Sequence, residues 1–148
     1  AKLIREINTE KAFIYIELSG DYFWDISKIR AFKTLLFNHA KCEGISPNYI
    51  LVGETTVRNK SKDKLENNIL KLSTEAMSGM IGGCEGIWIR PFNGDYSDEF
   101  SNRISRNIFH LMQEESYIQH VSDTSSGSYF IENYTEMIAQ KIYSKLSN

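Results

Sequence analysis

The sequence predicts an α/β fold built from parallel strand–helix units, and three observations carry that prediction. Three short apolar runs look like buried strands: Ala12–Leu18, Tyr49–Val52 and Ile87–Ile89. Each is rich in β-branched or aromatic residues and bounded by Gly, Pro, Asn or Ser. Their centres lie about 37 residues apart, enough for a strand plus a crossover helix. Between them the apolar residues recur at spacings of three and four. Strand, helix, strand, helix, strand, helix implies a parallel sheet with right-handed crossovers. Such strands are expected to be covered on both faces, which accounts for runs that are apolar rather than alternating.

The elements follow in order. Ala1–Ile7 reads as a helix with Leu3, Ile4 and Ile7 on one stripe. From Asp25 to Cys42 the stripe is Ile26, Ile29, Phe32, Leu36 and Ala40, and Gly44 and Pro47 stop it. The aromatic run Tyr22-Phe23-Trp24 is expected to pack this helix start onto the sheet. A second helix carries Leu65, Ile69, Leu72, Ala76 and Met80 and ends at Gly82-Gly83. A third opens with Ser97 as N-cap and Asp98 and Glu99 in its first turn, which suits the helix dipole. Its stripe is Phe100, Ile104, Ile108 and Leu111. A turn-rich link, Ser122–Ser128, leads to a last helix, where Asn133 and Glu136 have capping-box spacing and Met137, Ile138, Ile142 and Leu146 form the buried face.

Length and composition fit one domain. The 148 residues carry a formal charge of -2, with 41% hydrophobic and 24% charged residues, an ordinary globular balance. Near-neutral, mixed charge gives no footprint for nucleic acid. No apolar run approaches the ~18 residues of a membrane span, and no secretion signal is visible. Cys42 and Cys84 form no CxxC and have no histidine at zinc spacing, so they read as reduced thiols, with Cys84 buried at a strand start. A cytoplasmic location follows by default.

In parallel α/β folds, ligands bind at the carboxyl ends of the strands. The loops there are Ser19–Asp25, Gly53–Ser61 and Arg90–Asp95, where Glu54, Arg58, Arg90 and Asp95 are the charged groups able to converge. Paired carboxylates suit acid–base work and an arginine suits an anionic substrate. Against this stands the simpler reading of solvated loop residues and caps. No GxGxxG or GxxxxGK[ST] phosphate cradle, no HExxH and no GxSxG elbow occurs. His39, His110 and His120 stand alone, on or beside helices.

Two runs are more specific. Ser73–Gly83, STEAMSGMIGG, resembles the TEAM-and-glycines helix end of the methylmalonyl-CoA mutase family. Glu99–Asn107 with Gln113–Ser116 resembles that family's following helix, and Val121–Asp123 with Gly127–Glu132 is similar to its DP-x-x-GSYYIE element. Lys28-Ile29-Arg30-Ala31 matches an earlier helix. The resemblance implies that residues 1–148 form a single domain: the last three βα units of a substrate-binding TIM barrel, plus the helix that follows. A closed barrel of eight strands takes about 250 residues, so the chain is expected to be part of something larger.

The family interconverts methylmalonyl-CoA and succinyl-CoA by radical chemistry with adenosylcobalamin. Its Arg-x-Ser on the first of these strands matches Lys11 and Phe13. Its RTHSQ run on the second falls at Val52–Thr56, around Glu54. Its TQSLHTN run falls at Cys84–Arg90, so Gly86, Trp88 and Arg90 replace Ser, His and Asn. The family's D-x-H-x-x-G loop is absent from these residues. The runs ETTVRN and IRPF resemble the small, non-catalytic subunit of heterodimeric mutases.

The expectation is therefore a piece of that structural subunit, with no confident cofactor-binding, catalytic or metal residue. It would be inactive alone and would pair with a large subunit that holds adenosylcobalamin. Isolated, with unpaired edge strands, it would self-associate. The alternatives are an active mutase in which Glu54, Arg58 and Arg90 recognise a different acyl-CoA, and an acyl-CoA-binding module.

Overall fold

A computed structural model describes residues 12–146. The expected helix at Ala1–Ile7, and Lys11, lie outside the described residues. The chain runs β1 (Ala12–Leu18), α1 (Tyr22–Cys42), β2 (Tyr49–Thr55), α2 (Asn67–Gly82), β3 (Gly86–Trp88), α3 (Glu99–Glu114), a 3-10 turn (Ile118–His120) and α4 (Tyr129–Leu146). The three strands form one parallel sheet in the order β1-β2-β3.

Register settles which side chains share a face. Ile14 stands beside Leu51 and Glu17 beside Glu54, while Val52 stands beside Gly86 and Glu54 beside Trp88. Side chains alternate along a strand, so Ile14, Ile16, Leu18, Leu51 and Ile87 share the helix-covered face. Leu18, Ile29 and Leu51 form one buried cluster there, and Leu72, Ala76 and Ile108 form a second. Each of these Leu and Ile side chains contributes about 1.5–3 kcal/mol by leaving water.

The expectation that the strands are covered on both faces fails among the described residues. Phe13, Tyr15 and Trp88 are 60%, 55% and 50% exposed, and they share the other face with Glu17, Val52 and Glu54. The strand order explains this. Right-handed crossovers that always step in one direction put every helix on the same side, and covering both sides needs a reversal of direction.

Glycines let the helix layer press close. A Cβ on Gly79 would stand 2.6 Å from Ile87 Cδ1, and one on Gly82 would stand 2.9 Å from Ile29 Cδ1. Gly83, at φ 93°, ends α2 in the left-handed conformation that favours glycine.

Several boundaries differ from expectation. Helix α1 begins at Tyr22, because Asp21 caps it by accepting from Trp24 N. Its aromatic start packs on α4 rather than on the sheet, through Phe23–Phe130 and Trp24–Tyr134 ring contacts. Asp98, not Ser97, caps α3, accepting from Phe100 N and Ser101 N, while Ser97 donates to Asp95 instead. The buried face of α3 is Ser101, Ser105 and Ile108, leaving Phe100 and Leu111 more than half exposed. The Ser105 hydroxyl donates to Arg90 O at 2.9 Å, which draws that small-residue face inward. Helix α4 starts at Tyr129, placing Asn133 and Glu136 inside it, so they cap nothing. Glu132 reaches back to accept from Gly127 N. Ile131 and Ile138 are its buried residues and Met137 is exposed. The side chain of Leu146 lies outside the described set.

Candidate functional site at the strand ends

The carboxyl ends of the strands present a row of charged side chains on the open face. Arg90, just past β3, engages all three nitrogens of its guanidinium within the chain. Its Nε donates to Thr55 O at 3.1 Å, Nη1 donates to Tyr96 Oη at 2.9 Å, and Nη2 pairs with the Glu54 carboxylate. Its backbone N–H donates to Thr55 Oγ1 at 3.0 Å.

Beside this pair lies a second one. Glu17 accepts from Arg58 Nη2 at 2.7 Å and from Thr56 Oγ1 at 2.7 Å. Glu54 and Arg90 thus converge as expected, while Arg58 joins Glu17, which the sequence reading missed. Asp95 does not join them. It accepts from Ser97 N and Oγ within its own loop, and those hydrogen bonds hold its carboxyl below the usual range. Phe13, Gly86 and Trp88 lie on the same open face as Glu54. None of the three histidines does: His39 is on α1, His110 on α3 and His120 in the 3-10 turn.

Buried polar residues that sequence reasoning passed over fix the loops beneath. Asp25, fully buried, accepts from Ser19 N, Ser19 Oγ, Gly20 N and Lys28 Nζ, holding the β1–α1 turn. Glu75, also buried, accepts from Thr56 N at 3.1 Å, Asn59 Nδ2 at 2.8 Å and Lys60 Nζ at 2.6 Å. Burial lowers the pKa of Lys60, and its hydrogen bond to Glu75 works against that. Asn68 spans two loops, accepting from Ser61 N and donating to Ser61 O and Phe92 O. The one visible signal was an acid or amide on an otherwise apolar helix face.

Among the described residues no cluster of three His, Cys, Asp or Glu is placed to hold a metal ion. No described helix is long and apolar enough to cross a membrane.

Cys84 is half-buried against the Leu18–Ile29–Leu51 cluster. Burial pushes its thiol up to about 12, with Glu85 adding to the shift against Lys33 and Lys28, from an ordinary value of 9.0. Between those values the folded chain holds a proton that the unfolded chain has lost. The thiol's contribution is therefore present below pH 9.0 and lost as pH climbs toward about 12. At roughly 1.4 kcal/mol per pH unit, about 2 kcal/mol goes by about pH 10.5. Lys60 acts in the opposite sense, its lowered pKa adding stability as pH rises toward 10.5. Comparison with Cys84→Ala cancels the lysine. In denaturant melts from neutral pH to pH 10.5 the variant is expected to lose about 2 kcal/mol less than the parent; parallel curves would refute the assignment.

A family model described as Methylmalonyl-CoA mutase matches residues 9–148. The chain belongs to the methylmalonyl-CoA mutase family. Among proteins of known name, it is similar to the methylmalonyl-CoA mutase small subunit of Porphyromonas gingivalis, 33% identical over 133 residues, which is 85% of this chain and 22% of that protein. It is also similar to the small subunit of Streptomyces virginiae, 26% identical over 143 residues, covering 90% of this chain and 23% of that one. A probable mitochondrial methylmalonyl-CoA mutase of Caenorhabditis elegans is 31% identical over 132 residues, 84% of this chain and 18% of that protein. The chain thus spans only about a fifth of the length of these mutase relatives. Within the family match, the TEAM run contributes the buried Glu75, and the KIRA run contributes Arg30, which pairs with Asp123 of the link at 2.6 Å. Both runs therefore have structural work: one pins a loop to α2, and the other ties the link before α4 back onto α1.

Proposed function

We propose that this chain is the C-terminal part of the substrate-binding barrel of a small, structural mutase subunit. Its three strands would be the last three of eight, and its partner would be a large subunit that isomerises methylmalonyl-CoA and succinyl-CoA. The observation that carries the reading is that the charged side chains at the strand ends pair with one another. Every nitrogen of the Arg90 guanidinium is engaged by Glu54, Thr55 or Tyr96, and the Glu17 carboxylate is engaged by Arg58 and Thr56. A substrate site keeps its charges for a ligand; here Glu17 pairs with Arg58 and Glu54 with Arg90.

Two further features support it. The strand order with all helices on one side suits a barrel wall, with Phe13, Tyr15, Val52 and Trp88 directed to its interior. The relatives named as small subunits align over most of the chain.

Adenosylcobalamin, the cofactor the family implies, finds no fit among these residues. The indole of Trp88 is half exposed on the open face beside an ion pair already closed. The radical chemistry is accordingly assigned to the partner subunit.

The test uses the full-length polypeptide that contains this chain, incubated with adenosylcobalamin and methylmalonyl-CoA with and without the large subunit. Succinyl-CoA is expected only when both subunits are present, and its formation by this polypeptide alone would sink the proposal.

A further inference from the structure

Away from the strand ends, a cleft of about 300 Å³ opens where α1, the end of α2, the Val121–Thr124 link and α4 meet. Its charged lining is Arg30 and Lys33 from α1 and Asp123 from the link, and Thr34, Ser122 and Thr135 add hydroxyls. The donor and acceptor balance of these groups is uneven.

Asp123 is consumed within the chain. Both its oxygens accept from Arg30 Nη1, and Oδ1 also accepts from Ser125 N and Oγ. Among the described residues, the Arg30 guanidinium donates through Nη1 alone. Among the described residues, Arg30 Nε is buried with no partner, and so is Thr135 Oγ1 on the facing helix. Lys33 donates to Gly83 O at 2.6 Å and to Glu85 at 2.9 Å, leaving one of its three ammonium hydrogens over. The end of α2, which would repel an anion, is covered there: Gly83 N and Cys84 N cap its carbonyls and Lys33 adds a cation. Buried polar groups without a partner are costly and uncommon. Here a surplus of donors lines one cleft, and the Nε–Nη2 side of a guanidinium is the fork that matches an oxyanion.

We infer that this cleft binds a small molecule through an oxyanion, a phosphate or carboxylate group seated between Arg30, Lys33 and Thr135. The volume exceeds that of a bare anion, so the anion is one end of the ligand. The inference is independent of the strand-end reading, since it shares no residue with it.

Isothermal titration of the full-length polypeptide tests it, with inorganic phosphate and malonate as probes and chloride holding ionic strength constant. At least one probe is expected to saturate one site, with a dissociation constant on the order of 1 mM. Saturation by phosphate alone or by malonate alone says which oxyanion the cleft prefers. Lys33→Gln is expected to weaken binding about tenfold, the effect of about 1.4 kcal/mol. Thr135→Val should weaken it as well, and it leaves both cations in place if Lys33→Gln fails to fold. Lys41→Gln, at the exposed end of α1, should change nothing. Heats that never saturate, or affinities the same in Thr135→Val as in the parent, would overturn the assignment.

Discussion

Glu75→Ala is expected to cost about 3 to 5 kcal/mol of folding stability, the range for removing one partner of a buried ion pair. The carboxylate is 1% exposed and takes three donors from one loop. Without it, Lys60, whose side chain is 14% exposed, keeps a charge that burial already disfavours, and Thr56 N–H is left without its acceptor. The effect should not stop at stability. Thr56 also bonds Glu17, and Glu17 holds Arg58, so losing Glu75 loosens half of the strand-end network. Denaturant melts of Glu75→Ala, Lys60→Met and the double variant form the deciding cycle. The double variant should be less destabilised than Glu75→Ala alone, because an apolar pair leaves no unpaired charge. A single-variant loss under about 1 kcal/mol would show that water reaches the pair and that Glu75 holds nothing.

Why a mutase-family chain keeps an acid in the middle of an apolar helix face was not legible from periodicity. The stripe Leu65, Ile69, Leu72, Ala76 and Met80 located the buried side of α2 correctly, with Leu65 preceding the helix. Yet Glu75 lies on that same side and reads, in a single sequence, as one more surface acid. The strands show the converse. All three were legible, because β-branched and aromatic runs bounded by turn residues have few other homes. Their open face was not. In β1 the residues Phe13 and Tyr15 count as apolar, so AFIYIEL looks continuous, although aliphatic Ile14, Ile16 and Leu18 alternate with aromatic and charged neighbours. The alternation lies in shape rather than in hydropathy.

The candidate site divides along similar lines. Glu54 and Arg90 were visible as charges flanking strand ends, and their pairing follows from the β2–β3 register, which sets Glu54 beside Trp88 and Arg90 two residues on. The partner of Arg58 was hidden because Glu17 sits inside β1, 41 residues earlier, and only the β1–β2 register puts it next to Glu54. Caps failed where two cap-forming residues are adjacent. Ser97 and Asp98 both qualify, and Asp98 prevails because Asp95 already engages Ser97.

Asp25→Ala is expected to have an effect of the same size, about 3 to 5 kcal/mol, by a different route. Asp25 is fully buried in the first turn of α1, where a carboxylate also suits the positive end of the helix. It receives Ser19 N, Ser19 Oγ and Gly20 N from the turn that leaves β1, and Lys28 Nζ from the next turn of its own helix. Lys28 in turn donates to Glu17 O at 2.6 Å. One carboxylate therefore joins the last residues of β1 to the start of α1 and fixes where Glu17 is presented. Asn at this position keeps one acceptor oxygen but not the charge, so Asp25→Asn should cost roughly half as much as Asp25→Ala. Denaturant melts rank the two, and amide exchange at Ser19 and Gly20 localises the damage, which should be faster exchange at those two amides than across β2. Equal losses for Asn and Ala would mean that charge alone matters and that the turn's hydrogen bonds contribute little. Unchanged exchange at Ser19 and Gly20 would remove the turn from the argument altogether, leaving Lys28 as the partner that needs Asp25.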